Sequence, residues 1–176
     1  MFSRTNVGGD TNLNSDFKEL LSLLNQARVN YLVVGGYAVI EHTEPRYTKD
    51  LDIWVRADAE NAERLYLALK KFGAPLNNIR VEDFTDPGVV YHMGRPPSRV
   101  DVFMGLKGLD FETCWQNRFE ANYGDEVIPF LSNQDLVTNK SLVGRPQDLM
   151  DVDNLLLAQK RAAKDSSTTP ENYEDH

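Results

Sequence analysis

Apolar and polar positions divide the chain into alternating helices and strands. Phe17, Leu20, Leu21 and Leu24 recur at helical spacing, and Ser15 stands where it can cap the helix they predict. "YLVVGG" follows as a short apolar strand ending in Gly35 and Gly36. "YAVIEHTE" has no strand alternation and predicts a short helix, stopped by Pro45. A strand is expected from Lys49 to Arg56. Asp58 then caps "AENAERLYLALKKFG", which sets Leu65, Leu69 and Phe72 on one face and ends at Gly73.

"GVVYHMG" and "SRVDVFMG" are two strand-like runs joined by "RPPS", which suits a hairpin turn. "LDFETCWQNRFEA" predicts a helix and "EVIPFL" a last short strand. Ser132 caps "NQDLVTNKSLVG", which Gly144 closes, and Pro146 opens a final helix over "PQDLMDVDNLLLAQK". Helices alternating with strands, one hairpin among them, predict an α/β or α+β domain in which a mixed sheet is packed with helices. Residues 1–14, rich in Asn, Gly, Ser and Thr, read as a flexible segment. The folded unit is expected over residues 15–160. Residues 161–176 form a polar tail with almost nothing to bury, the composition of a disordered end.

The strand from Lys49 raises a question of charge. The side chains of a strand alternate, so Asp50 and Asp52 project from one face while Leu51, Ile53 and Val55 fill the other. Two carboxylates about 7 Å apart repel by roughly 2 kcal/mol at an effective dielectric near 20. "SRVDVF" sets Asp101 in the same kind of position, between Val100 and Val102. The glycine pair adds a third feature. Glycine lets a ligand approach the backbone, and the free amides of a helix start attract phosphate. Together these are parts for metal-assisted phosphoryl transfer, in which a divalent cation offsets the repulsion and bridges phosphate oxygens.

Composition narrows the partners. At 176 residues the chain is long enough for one well-buried domain. A formal net charge of −8 disfavours broad, sequence-blind binding to nucleic acid. The single cysteine, Cys114, excludes an intrachain disulfide and reads as a small core residue. No run approaches the 18 apolar residues of a membrane span, and the amino terminus lacks a signal-peptide core; a cytoplasmic location without a membrane partner is the expectation.

"VVGGYAVIEHTEPRYTKDLDIWV" resembles the signature of the polymerase-β-type nucleotidyltransferase superfamily, and most closely its minimal, AbiEii-like branch associated with toxin–antitoxin systems. The likeness covers Gly35, Gly36, the alternate positions Arg46, Thr48, Asp50 and Asp52, and Asp101. It extends to "NKSLVGRPQDLMDVDNL", with Arg145, Asp148 and Asp151. The resemblance implies a nucleotidyltransferase fold that moves a nucleoside monophosphate from an NTP to a hydroxyl and releases pyrophosphate. Asp50, Asp52 and Asp101 would hold two Mg²⁺ ions, with Asp101 also helping to activate the acceptor hydroxyl. Gly35 and Gly36 would cradle the phosphates. Lys140 would meet the triphosphate, with Arg46 and Lys49 flanking the metal strand.

Many members of the superfamily carry Gly-Ser where this chain has Gly35-Gly36, so the backbone alone must serve the phosphates here. The implied acceptor is a tRNA end or a partner protein, with a cognate toxin or antitoxin as a further partner. An antibiotic acceptor of aminoglycoside type and a non-catalytic nucleotide-binding module are the alternatives. His42 has either a nucleotide contact or a satisfied structural place, and Trp54 either lines the acidic face or packs beneath a helix.

Overall fold

The computed structural model describes residues 13–167. The elements run α1 (Ser15–Gln26), β1 (Tyr31–Val34), α2 (Gly35–His42), β2 (Leu51–Val55) and α3 (Ala59–Phe72). After a short 3-10 turn at Val81–Thr85 come β3 (Val90–Met93), β4 (Val100–Phe103), α4 (Phe111–Gln116), β5 (Phe119–Tyr123), β6 (Glu126–Phe130), α5 (Asn133–Val143) and α6 (Pro146–Ser167). Six strands form one mixed sheet in the order β3-β4-β2-β1-β6-β5. The expected fold class, a mixed sheet packed with helices, is the one present.

β1 occupies the middle of the sheet and all four of its residues are buried, which explains its unbroken apolar sequence. It pairs antiparallel with β2 and parallel with β6. β2 pairs parallel with β4, so its Leu51, Ile53 and Val55 join Val100 and Val102 in a fully covered layer. Phe17, Leu20 and Leu24 of α1 and Leu65 and Leu69 of α3 belong to the same core. α2 packs against β1 and β2 and also meets α5 and α6. This junction brings the carboxyl-terminal helices to the acidic strand.

Most predicted boundaries hold. Asp58 caps α3 by accepting from the Asn61 amide, Ser132 caps α5 by accepting from the Asp135 amide, and Gly73 and Gly144 end those helices with positive φ. Four expectations need correction. The cap of α1 is Asn14, not Ser15. Its side chain accepts from the Phe17 amide and donates to Pro97 O and Ser98 Oγ, so one residue caps the helix and ties it to the β3–β4 turn.

Secondly, the proposed helix over "LDFETCWQNRFEA" stops at Gln116. Residues Phe119–Tyr123 form β5, whose side chains alternate half-buried and exposed and which returns through Gly124 into β6. Thirdly, α2 begins at Gly35, so both glycines lie within the helix start. Finally, the last helix runs beyond "PQDLMDVDNLLLAQK": α6 continues through Ser167 across Ala162 and Ala163, good helix formers. The rest of the expected flexible segment and tail, residues 1–12 and 168–176, lies outside the described residues.

Candidate active site

The register of the sheet assembles the acidic cluster. Asp52 is directly opposite Asp101 on adjacent parallel strands and opposite Val34 on the other side. Neighbouring strands lie about 4.8 Å apart, so the two side chains leave the same face close together. The strand expected from Lys49 begins only at Leu51, so Asp50 lies just before β2, and its charge reaches Asp52. Val34 is the last residue of β1, so the chain enters α2 at the level of Asp52. Gly35 has φ of +62°, and a Cβ added there would lie 2.1 Å from Asp52 Oδ2. A Cβ on Gly36 would lie 2.4 Å from Thr48 Oγ1. Both glycines therefore let α2 start hard against the acidic segment. The amino end of α2 has no side-chain cap, which leaves its first amides open to an outside acceptor.

The electrostatics of Asp52 mark the site. Burial, reinforced by Asp101 and then Asp50, pushes its carboxyl up to about 7, against the opposing pull of Lys140 and Arg99. Asp101 is buried too, but its oxygens are engaged by Arg99 and His92. His92 Nδ1 lies 2.7 Å from its Oδ1, Arg99 Nε donates to the same oxygen at 3.1 Å, and Arg99 Nη2 donates to Oδ2 at 3.4 Å. A divalent cation fits this place in charge and in the hardness of its oxygen donors. As they stand, the carboxylates do not enclose one: no group of three His, Cys, Asp or Glu side chains among the described residues is placed to hold a metal ion.

A second polar cluster lies where α5 and α6 meet. Asp151 is fully buried and Asp148 nearly so. Lys140, also buried, reaches Asp148 at 3.2 Å and Asp151 at 2.8 Å. Arg46 joins Asp151 at 3.1 Å, and Arg145 joins Asp148 at 2.8 Å. Burial works to raise the Asp148 carboxyl, but hydrogen bonds from Arg145 and Lys140 outweigh it and hold it below the usual range. Three cations thus surround two carboxylates. Lys140 extends its charge to Asp52 while its amine is bonded to the helix carboxylates. Arg46 spends Nη2 on Asp151 and Nη1 on Tyr47 O; its Nε is buried without a partner among the described residues. Lys49 is exposed beside Asp50.

The remaining candidates fall into structural places. His42 Nε2 donates to Leu131 O at 2.8 Å, its ring packs on Phe119, and burial pulls its pKa down. Trp54 is covered and meets Phe111 of α4 edge-on, with ring centroids 5.0 Å apart. It forms part of a cavity of about 470 Å³ with Met104 and Phe111, whereas a cavity of about 370 Å³ opens between Arg46 and α6. Neither cavity is lined by Asp50, Asp52 or Asp101. His92 escaped the sequence reading although the hairpin offered a signal. A turn centred between Pro96 and Pro97 pairs His92 with Asp101, as observed.

Several solved structures are similar, three of them as follows. The crystal structure of the lincosamide antibiotic adenylyltransferase LnuA, lincomycin-bound, is 17% identical; the match covers 81% of this chain and 96% of that one, with a TM-score of 0.49. The structure of ANT(2")-Ia in complex with adenylyl-2"-tobramycin is 13% identical, with 86% and 96% covered and a TM-score of 0.52. An antigenic nucleotidyltransferase-like protein from Paracoccidioides brasiliensis is 16% identical, with 81% and 77% covered and a TM-score of 0.43. At these identities the likeness is one of fold, and the ANT(2")-Ia structure carries it. No protein-family model matches the chain and no curated protein sequence does. No helix among the described residues is long and apolar enough to cross a membrane.

Proposed function

We propose that the protein is a nucleotidyltransferase that moves a nucleoside monophosphate from an NTP to an acceptor hydroxyl. The observation that carries this reading is the register of Asp52 with Asp101, with the charge of Asp50 reaching Asp52 and the uncapped start of α2 against Asp52. The shared fold with ANT(2")-Ia supports it.

Asp50, Asp52 and Asp101 are the residues that would hold Mg²⁺. When bound, the metal offsets the clustered charge and polarises the phosphoryl oxygens. The amides at Gly35 and Gly36 offer hydrogen bonds to the triphosphate, helped by the helix dipole. Arg99 and Lys140 contribute positive charge beside the carboxylates. Asp101, with His92 on its Oδ1, would take the proton of the attacking hydroxyl.

We favour a tRNA end or a partner protein as acceptor, in a toxin–antitoxin or phage-defence setting. The net charge of −8 disfavours unaided binding to long RNA, which leaves a structured RNA end or a protein as the favoured acceptor. An antibiotic acceptor is the second reading, and its support is the fold shared with ANT(2")-Ia, whose structure holds adenylyl-2"-tobramycin. The test is transfer of label from each α-labelled NTP, with Mg²⁺, to purified tRNA, total cell protein and tobramycin. The expected result is label on tRNA or protein that disappears in Asp50→Asn/Asp52→Asn. Label on tobramycin alone would move the acceptor to the second reading. No label on any acceptor would leave a nucleotide-binding module without catalysis.

A further inference from the structure

Between α2 and β2 the chain runs without regular structure, and this stretch carries Thr48, Lys49 and Asp50 to the acidic face. Thr43 is tied back to α2 by its Oγ1, which donates to Val39 O, Thr48 packs against Gly36, and Glu44 meets Arg161 in an exposed ion pair of little energetic weight. Arg46 is an anchor of a different kind: it reaches a carboxylate that is fully buried, Asp151 on the first turns of α6.

Asp151 Oδ2 also receives Lys140 from α5, and Gln147 Nε2 donates to its Oδ1. One carboxylate therefore joins the segment before β2 to the lysine whose charge reaches Asp52. A buried ion network offers little net stability over a well-packed apolar one. It ties three separate segments to one point, since Asp151 bonds Arg46, Lys140 and Gln147 together.

We propose that Asp151 is a positioning residue: through Arg46 it holds the segment that presents Asp50, and through Lys140 it holds a positive charge beside Asp52. The inference rests on the nucleotidyltransferase reading above. It assigns to a helix carboxylate control over the placement of two groups within the site.

The test compares Arg46→Gln, Asp151→Asn and the double variant with the unsubstituted protein. Melting is recorded first. Label transfer from NTP with Mg²⁺ to tRNA, total cell protein and tobramycin is then followed below every melting transition. Arg46→Gln should lower kcat by about ten- to a hundredfold, the range that small misplacements produce. Its NTP KM should stay within about threefold, since the amides at α2 are untouched. The double variant should be no slower than the slower single variant, because both substitutions break one linkage.

Losses that multiply in the double variant would overturn the inference. So would a folded Arg46→Gln protein of native kcat, which would leave Asp151 with only a structural role. Asp151→Asn exposes Lys140 to a weakened partner set and can fail to fold; Arg46→Gln, on the segment outside the helices, then decides alone. Absence of transfer by the unsubstituted protein would remove the nucleotidyltransferase reading, and the inference with it. Having that protein in every series separates the two failures.

Discussion

Gly35 and Asp52 occupy space that allows no side chain between them: a Cβ on Gly35 would lie 2.1 Å from Asp52 Oδ2 and 3.1 Å from Asp52 Cβ. Gly35→Ala must therefore turn the carboxylate away and also hold an alanine at φ of +62°, a conformation that costs roughly 1–2 kcal/mol. Chemical denaturation should report a loss of at least that size, and label transfer should fall beyond what the remaining folded fraction explains. Native stability and native transfer in Gly35→Ala would show that the contact does not constrain the site.

Gly36 tests a different neighbour. Its missing Cβ makes room for Thr48, with Oγ1 2.4 Å and Cβ 3.0 Å from the added atom. Gly36→Ala should destabilise the protein, and Thr48→Ala should recover part of the loss by removing the hydroxyl. A double-mutant cycle in urea should give a coupling of about 0.5–3 kcal/mol, the range for residues in contact. Independent effects would mean that α2 moves as a unit to accommodate the methyl group.

Stability should depend on pH through Asp52. Its folded pKa is about 7, above the ordinary aspartate value of 3.8, so between these values the folded state binds a proton that the unfolded chain lacks. The contribution is fully present below about pH 4 and declines as pH rises through 7, over a range on the order of 4 kcal/mol. Asp52→Asn should flatten this part of the stability profile and melt at a higher temperature than the native protein at pH 8. A profile of native slope in Asp52→Asn would assign the dependence to another group.

Cys114 should resist alkylation in the folded protein. It is buried, and burial, with the nearby Asp135, pushes its thiol up to about 12. Iodoacetamide at pH 8 should label it slowly in buffer and readily in denaturant. Rapid labelling of the native state would show that α4 opens without global unfolding.

The legibility of the chain followed the range of the interactions involved. Asp58, Gly73, Ser132 and Gly144 were readable because a cap depends on residues within three or four positions. The strand β5 was lost because "FEANY" continues an apparently helical run, and its partner β6 decides the matter. Asn14 displaced Ser15 through two bonds to the distant turn at Pro97 and Ser98. The three aspartates were visible in alternation alone, and the register of β2 with β4 brings two of them side by side. Lys140 was visible as a cation, but its partners Asp148 and Asp151 are eight and eleven residues away on another helix. Sequence spacing describes each helix separately, and the network exists only where the two meet.

The place of β1 in the sheet has a consequence for synthesis. Its β2 edge is covered by residues that follow within some two dozen positions, while its other edge meets Phe130, almost a hundred residues later. α1 waits as well, since Ser22 and Asn25 donate to Glu126. As the chain leaves the ribosome, an apolar strand with unpaired amides and carbonyls is therefore present before its second neighbour exists. Such an edge is a template for pairing with other chains. Truncation before residue 126 should leave a product that aggregates or engages chaperones, even though the residues of the acidic cluster have all been made.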